Sequence, residues 1–180
     1  MKNIILTGYR CTGKTEVGKR LSERLKLSFY DTDEVIIEKA GMPITEIVKK
    51  GGWDAFRLKE KEAIRELGLN RNCIIATGGG AFEALENREI LKSNGLFVWL
   101  SADVKTIVER MLSDQKSMSH RPSLSHDDLV TECSVILGKR EPVYRELAYL
   151  TIDTSDKGIN KVADEICRFL NQNRQTKRNR

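Results

Sequence analysis

No Cys-x-x-Cys pair occurs in this sequence. The four cysteines, Cys11, Cys73, Cys133 and Cys167, are scattered, and the chain has only two histidines, so metal-ligand spacing is missing. A disulfide scaffold is not expected in a chain of 180 residues, and scattered thiols fit a reducing, cytoplasmic setting. No apolar run approaches the length of a bilayer span. The first residues reach a charged Lys2 and a short strand-like run where a leader would need a longer apolar stretch. Internal repeats and Pro/Gly-rich linkers are also lacking. With 39% apolar and 32% charged residues, one soluble globular domain is expected over 1–170.

A formal charge of +5 raises the question of nucleic acid, and its location argues against that partner. Four of the five charges come from Arg174, Lys177, Arg178 and Arg180, leaving a nearly neutral body. Residues 171–180 read as a basic, frayed, disordered tail, with an RNA-binding arm as the alternative.

Short apolar runs recur at Ile4–Thr7, Ser28–Tyr30, Cys73–Ala76, Leu96–Leu100 and Tyr149–Ile152, separated by stretches of helical period. This alternation predicts an α/β protein with a mainly parallel sheet. A first helix is predicted from Lys14, with Val17, Leu21 and Leu25 inward and Gly18 allowing close approach to the sheet. Further helices are predicted from about Asp54 to Gly68 and from about Lys157 to Asn171. Residues 113–128, polar and serine-rich, read as a loop that is either disordered or a functional lid.

Directly after the first strand comes Gly8-x4-Gly13-Lys14-Thr15, a P-loop pattern in its required strand–loop–helix setting. Such a loop turns its amides inward at a helix N-terminus, where an anion is favoured. Lys14 is expected at the β- and γ-phosphates of a nucleotide and Thr15 at Mg²⁺. The chain is short for a motor and has no guanine-reading NKxD, which leaves a small kinase as the leading class.

The second strand ends in Asp31-Thr32-Asp33, at the sheet edge where open α/β folds bind ligands. One carboxylate there could order the metal's water shell while the other takes a hydroxyl proton; a helix cap at Thr32 or Asp33 is the structural alternative. Arg57 and Glu60 project into the apolar stripe of Trp53, Phe56, Ile64 and Leu67. Arg140 does the same among Ile136, Val143, Tyr144 and Leu147, with Pro142 predicting a kink or restart. Charges on a buried face are costly unless paired or used. The choice is between a structural Arg57–Glu60 pair and two guanidinium groups clamping an anionic acceptor. Three glycines, Gly78 to Gly80, follow the strand Ile74-Ile75-Ala76, either as a flexible turn or for close approach to a ligand.

Taken in order, these motifs resemble shikimate kinase over roughly Lys2 to Leu170: GYRCTGKT, DTD at 31–33, FRxxE at 56–60, TGGG at 77–80, RP at 121–122 and RxPxYxExA at 140–148. The resemblance implies a three-layer α/β/α fold like the nucleoside-monophosphate kinases, with a five-stranded parallel sheet of order 2-3-1-4-5. It implies a monomer that phosphorylates the 3-hydroxyl of shikimate with ATP and Mg²⁺, with no nucleic-acid or membrane partner. ATP would be held by Arg10, Cys11, Thr12, Gly13, Lys14, Thr15, Glu16, Arg110 and Arg121, with the loop 154–157 bordering adenine and Arg110 stacking on it. Shikimate would meet Asp33, Arg57, Glu60, Gly79, Gly80 and Arg140. Asp33 would accept the proton, Lys14 and Arg121 (in a lid at about 112–127) would stabilise the moving phosphoryl group, and Thr15 and Asp31 would serve the metal. A gluconate-type kinase of the same fold and a silent nucleotide-binding module are the competing readings. Cys11, Glu16, Trp53 and Ser123 depart from the residues usual in the family, Trp53 standing where glutamate is common.

Overall fold

The computed structural model describes residues 2–113 and 128–178. Five parallel strands, β1 (Asn3–Thr7), β2 (Ser28–Asp31), β3 (Cys73–Ala76), β4 (Gly95–Ser101) and β5 (Leu150–Asp153), form one sheet of order β2-β3-β1-β4-β5, the order that the resemblance implies. The central register pairs Ile5 of β1 with Ile75 on one side and Phe97 on the other.

Strand alternation explains the layers. Ile4 and Leu6 of β1 point to a core shared with Val17, Leu21, Val162 and Ile166, while Ile5 points to the opposite core with Ile64, Leu67, Phe82 and Leu91. A central strand apolar on both faces has to be covered twice, which gives the α/β/α sandwich. Helices α1 (Lys14–Leu25) and α7 (Ile159–Arg178) cover the first face. Helices α3 (Ile44–Leu69), α4 (Leu85–Lys92) and α6 (Leu129–Leu147) cover the second. Among the described residues the remaining helices are α2 (Thr32–Ala40) and α5 (Val104–Ser113). Gly18 admits β2 closely: a Cβ there would lie 2.1 Å from the Phe29 ring.

The helix predicted from about Asp54 to Gly68 is present: Gly52, at φ 70°, breaks α3 into two helical stretches, and the second runs on from there to Leu69. Two other expectations change. Pro142 does not restart α6, which is one helix through it. The buried side chains of Leu137, Arg140, Tyr144 and Leu147 anchor it on both sides of the lost amide. Helix α7 passes its expected end at Asn171 and continues to Arg178, through much of the segment read as a frayed tail. Gln, Arg, Thr and Lys there include no glycine or proline to stop it. Among the described residues no helix is long and apolar enough to cross a membrane.

Candidate active site

The carboxyl ends of β1, β3 and β2 lie side by side, so the P-loop, the glycine strip and the Asp31–Asp33 pair meet at one edge of the sheet. The order reverses beside β1, and that is where open parallel sheets form their crevice.

The P-loop is held by its own backbone geometry. Gly8 has φ 140°, and a Cβ there would stand 2.2 Å from the Leu100 carbonyl oxygen. Gly13, at the cap of α1, has φ 88°. Cys11 occupies the left-handed region at φ 59°, a conformation that glycine adopts more cheaply. The Thr12 hydroxyl donates to the Tyr9 carbonyl at 2.9 Å, and Lys14 Nζ donates to the carbonyls of Gly8 at 2.9 Å and Tyr9 at 2.6 Å. Glu16 is exposed and lies 3.8 Å from Lys19.

Asp31 caps α2, one oxygen accepting from the Asp33 amide at 3.0 Å, while its other oxygen accepts from the Thr15 hydroxyl at 2.7 Å. The cap residue is therefore Asp31 in place of Thr32 or Asp33, and the same side chain also holds the Thr15 hydroxyl. Asp33 is buried at the edge of the cleft, and the Thr32 hydroxyl accepts from the Gly78 amide at 2.9 Å, tying the start of α2 to the glycine strip.

Asp33, Arg57, Glu60, Gly79, Gly80 and Arg140 all line one open cleft. Arg57 Nη1 lies 2.6 Å from Glu60 Oε2, so the structural pair exists and faces the cleft as well. Glu60 is 1% exposed, its Oε1 has no hydrogen-bond partner, and burial raises its carboxyl to about 7 against the pull of Arg57. The Arg57 guanidinium lies 5.9 Å from the centroid of the Trp53 ring and 5.5 Å from that of Phe56, so two aromatic rings flank it. Gly80 makes room for both guanidinium groups: a Cβ there would lie 2.2 Å from Arg57 Nη2 and 2.8 Å from Arg140 Nη2.

A family model described as Shikimate kinase matches residues 10–171. The chain belongs to the shikimate kinase family. It is 42% identical to a shikimate kinase of Syntrophus aciditrophicus (strain SB), over 96% of this chain and 93% of that one. It is 39% identical to the shikimate kinase of Geobacter sulfurreducens, over 95% and 92%. Its fold superposes with TM-score 0.89 and 34% identity on the shikimate kinase of Acinetobacter baumannii in complex with shikimate, covering 96% of this chain and 94% of that one.

Two of the residues expected at ATP have neighbours that the sequence did not reveal. Arg10, expected among the ATP residues, lines the same cleft as Arg57 and Arg140, 3.9 Å from the buried Glu132; its guanidinium and that of Arg140 each lie 5.8 Å from the Tyr9 ring centroid. Arg110 bridges two loops, donating to the Cys11 carbonyl at 3.2 Å and the Thr154 hydroxyl at 3.1 Å. Arg121 and most of the expected lid lie outside the described residues. Sequence reading also missed contributors. Tyr144 donates its hydroxyl to the Gly79 carbonyl and so pins the glycine strip to α6; its place in RxPxY was the available signal. Glu83, 2.6 Å from Arg140 Nε, belongs to none of the motifs.

Proposed function

We infer that this protein transfers the γ-phosphoryl group of ATP to the 3-hydroxyl of shikimate, giving shikimate 3-phosphate and ADP on the route to aromatic amino acids. Family membership supports the reading. The structural observation that carries it is the convergence of the Asp33 carboxylate and the Arg57 and Arg140 guanidinium groups, together with Arg10 and Glu60, on a single cleft beside the P-loop.

In this reading Arg57 and Arg140 hold the acid's carboxylate, since a guanidinium matches that group in geometry and charge. Asp33 orients the hydroxyls and takes the proton of the attacking one as the new P–O bond forms and the bond to ADP breaks. The P-loop amides and Lys14 hold the phosphates, with Arg110 and the 154–157 loop beside the base. Mg²⁺ suits the hard oxygens present, the Thr15 hydroxyl with the Asp31 carboxylate behind it. When bound, it would neutralise phosphate charge. Four free cysteines support a cytoplasmic location, and we read the chain as a monomer with no nucleic-acid partner.

The deciding experiment is ADP release measured with shikimate, with gluconate and with no acceptor. Release should depend on shikimate alone; equal release with gluconate would support the related sugar-acid kinase, and none above blank a silent binding module.

A further inference from the structure

Arg57 and Arg140 are each braced by a glutamate, in different surroundings. Glu60, beside Arg57, is sealed in the protein, whereas the side chain of Glu83, beside Arg140, is 53% exposed. Glu83 closes the 3₁₀ turn Ala81–Glu83 that follows the glycine strip, and its amide donates to the Gly80 carbonyl at 3.1 Å. That turn folds the chain back so that Glu83 Oε1 accepts from Arg140 Nε at 2.6 Å.

A guanidinium can receive a carboxylate sideways, through Nε and one Nη, or end-on, through both Nη groups. Glu83 occupies the Nε donor. The terminal nitrogens border the glycine strip that lines the cleft: Nη1 lies 3.5 Å from where a Gly79 Cβ would stand and Nη2 2.8 Å from that of Gly80. We propose that Glu83 is a positioning residue of the acceptor site, holding Arg140 so that it meets the acceptor carboxylate end-on. This rests on the reading that Arg140 grips that carboxylate.

Its exposure suits the role. Water and salt screen the glutamate's charge, so it competes weakly with the incoming anion, while the short hydrogen bond still orients the guanidinium. A sealed carboxylate at the same place would compete more strongly for Arg140.

The test is steady-state kinetics of Glu83→Ala and Glu83→Gln. Glu83→Ala should raise the KM for shikimate about three- to fivefold, leaving kcat and the KM for ATP within about twofold. Glu83→Gln keeps an acceptor for Nε and should restore much of the loss. A KM for shikimate that stays unchanged or falls in Glu83→Ala would overturn the proposal. So would an alanine effect that glutamine does not relieve. In an Arg140→Lys background the alanine change should add nothing; an effect as large as in the wild type would mean that Glu83 acts by another route. If Arg140→Lys by itself leaves the KM for shikimate unchanged, the carboxylate-gripping reading of Arg140 fails first. A raised KM there with a silent Glu83→Ala sinks the present inference alone.

Discussion

The Asp31 carboxylate joins Thr15 to Asp33: one oxygen accepts from the Thr15 hydroxyl at 2.7 Å, the other from the Asp33 amide at 3.0 Å. The first residue of the nucleotide-side helix α1 to offer a hydroxyl and the first turn of the acceptor-side helix α2 are thereby fixed to a single side chain. Donor and acceptor halves of the site cannot shift independently without breaking one of these bonds.

Replacing Asp31 should separate its two tasks. Asn is itself a good helix cap, so Asp31→Asn should keep its melting temperature but lose activity about 10- to 100-fold and need more Mg²⁺ for half-maximal rate. Asp31→Ala should in addition melt about 2–4 °C lower, from a lost cap of about 1 kcal/mol. A Mg²⁺ titration with thermal melts of both variants checks this; an unaltered Mg²⁺ requirement would remove Asp31 from the metal side.

Asp33→Asn keeps the shape of the side chain and removes its basicity. We expect kcat to fall about 10²- to 10⁴-fold with ATP binding unchanged. Nucleotide affinity by calorimetry beside turnover gives the comparison, and near-normal turnover would show that Asp33 is no base.

Gly80 and Gly8 should fail in different ways. Gly80 has φ −97°, so alanine causes no backbone strain there, but its methyl would push the mobile ends of Arg57 and Arg140. Gly80→Ala should fold normally and raise the KM for shikimate roughly 10- to 100-fold. Gly8→Ala places a methyl against the Leu100 backbone at positive φ and should cost about 2–5 kcal/mol of stability. Urea melts and acceptor titrations of both variants distinguish a crowded site from a strained backbone.

Glu60 should make the protein sensitive to pH near neutrality. Its folded carboxyl is raised from the usual 4.5 to about 7 by burial, so the folded state holds a proton that the unfolded chain releases. Its contribution to stability is present in full below 4.5 and is lost as pH rises through about 7, by a few kcal/mol at most. Arg57, Asp33 and Arg140 are the charges around it. The stability of Glu60→Gln relative to wild type should therefore improve between pH 5 and pH 8, as chemical denaturation at both values would reveal. The KM for shikimate should rise over the same interval in the wild type, because the ionised glutamate then competes for Arg57, and this rise should be absent in Glu60→Gln.

What was legible in the sequence was what spacing alone can carry. Alternating runs such as Ile4-Ile5-Leu6 announced a sheet covered on both faces, and Gly8-x4-Gly13-Lys14-Thr15 announced a phosphate loop, because local backbone chemistry makes those patterns. Arg57 and Arg140 stood out as charges on apolar stripes. A common anionic target could be suggested from that pattern, but which face of α3 meets which face of α6 is not written in a helical period. Folding settled the rest by bringing distant segments together: Glu83 lies 57 residues from Arg140, and Tyr144 lies 65 residues from Gly79. Arg10, within the phosphate-loop motif in sequence, lines the cleft of Asp33, Arg57 and Arg140. Hydrophobic period and turn chemistry act over a few residues, so the chain alone determined its elements and its nucleotide loop. Which carboxylate braces which guanidinium depends on packing between elements, and only the assembled sheet and helices decided that.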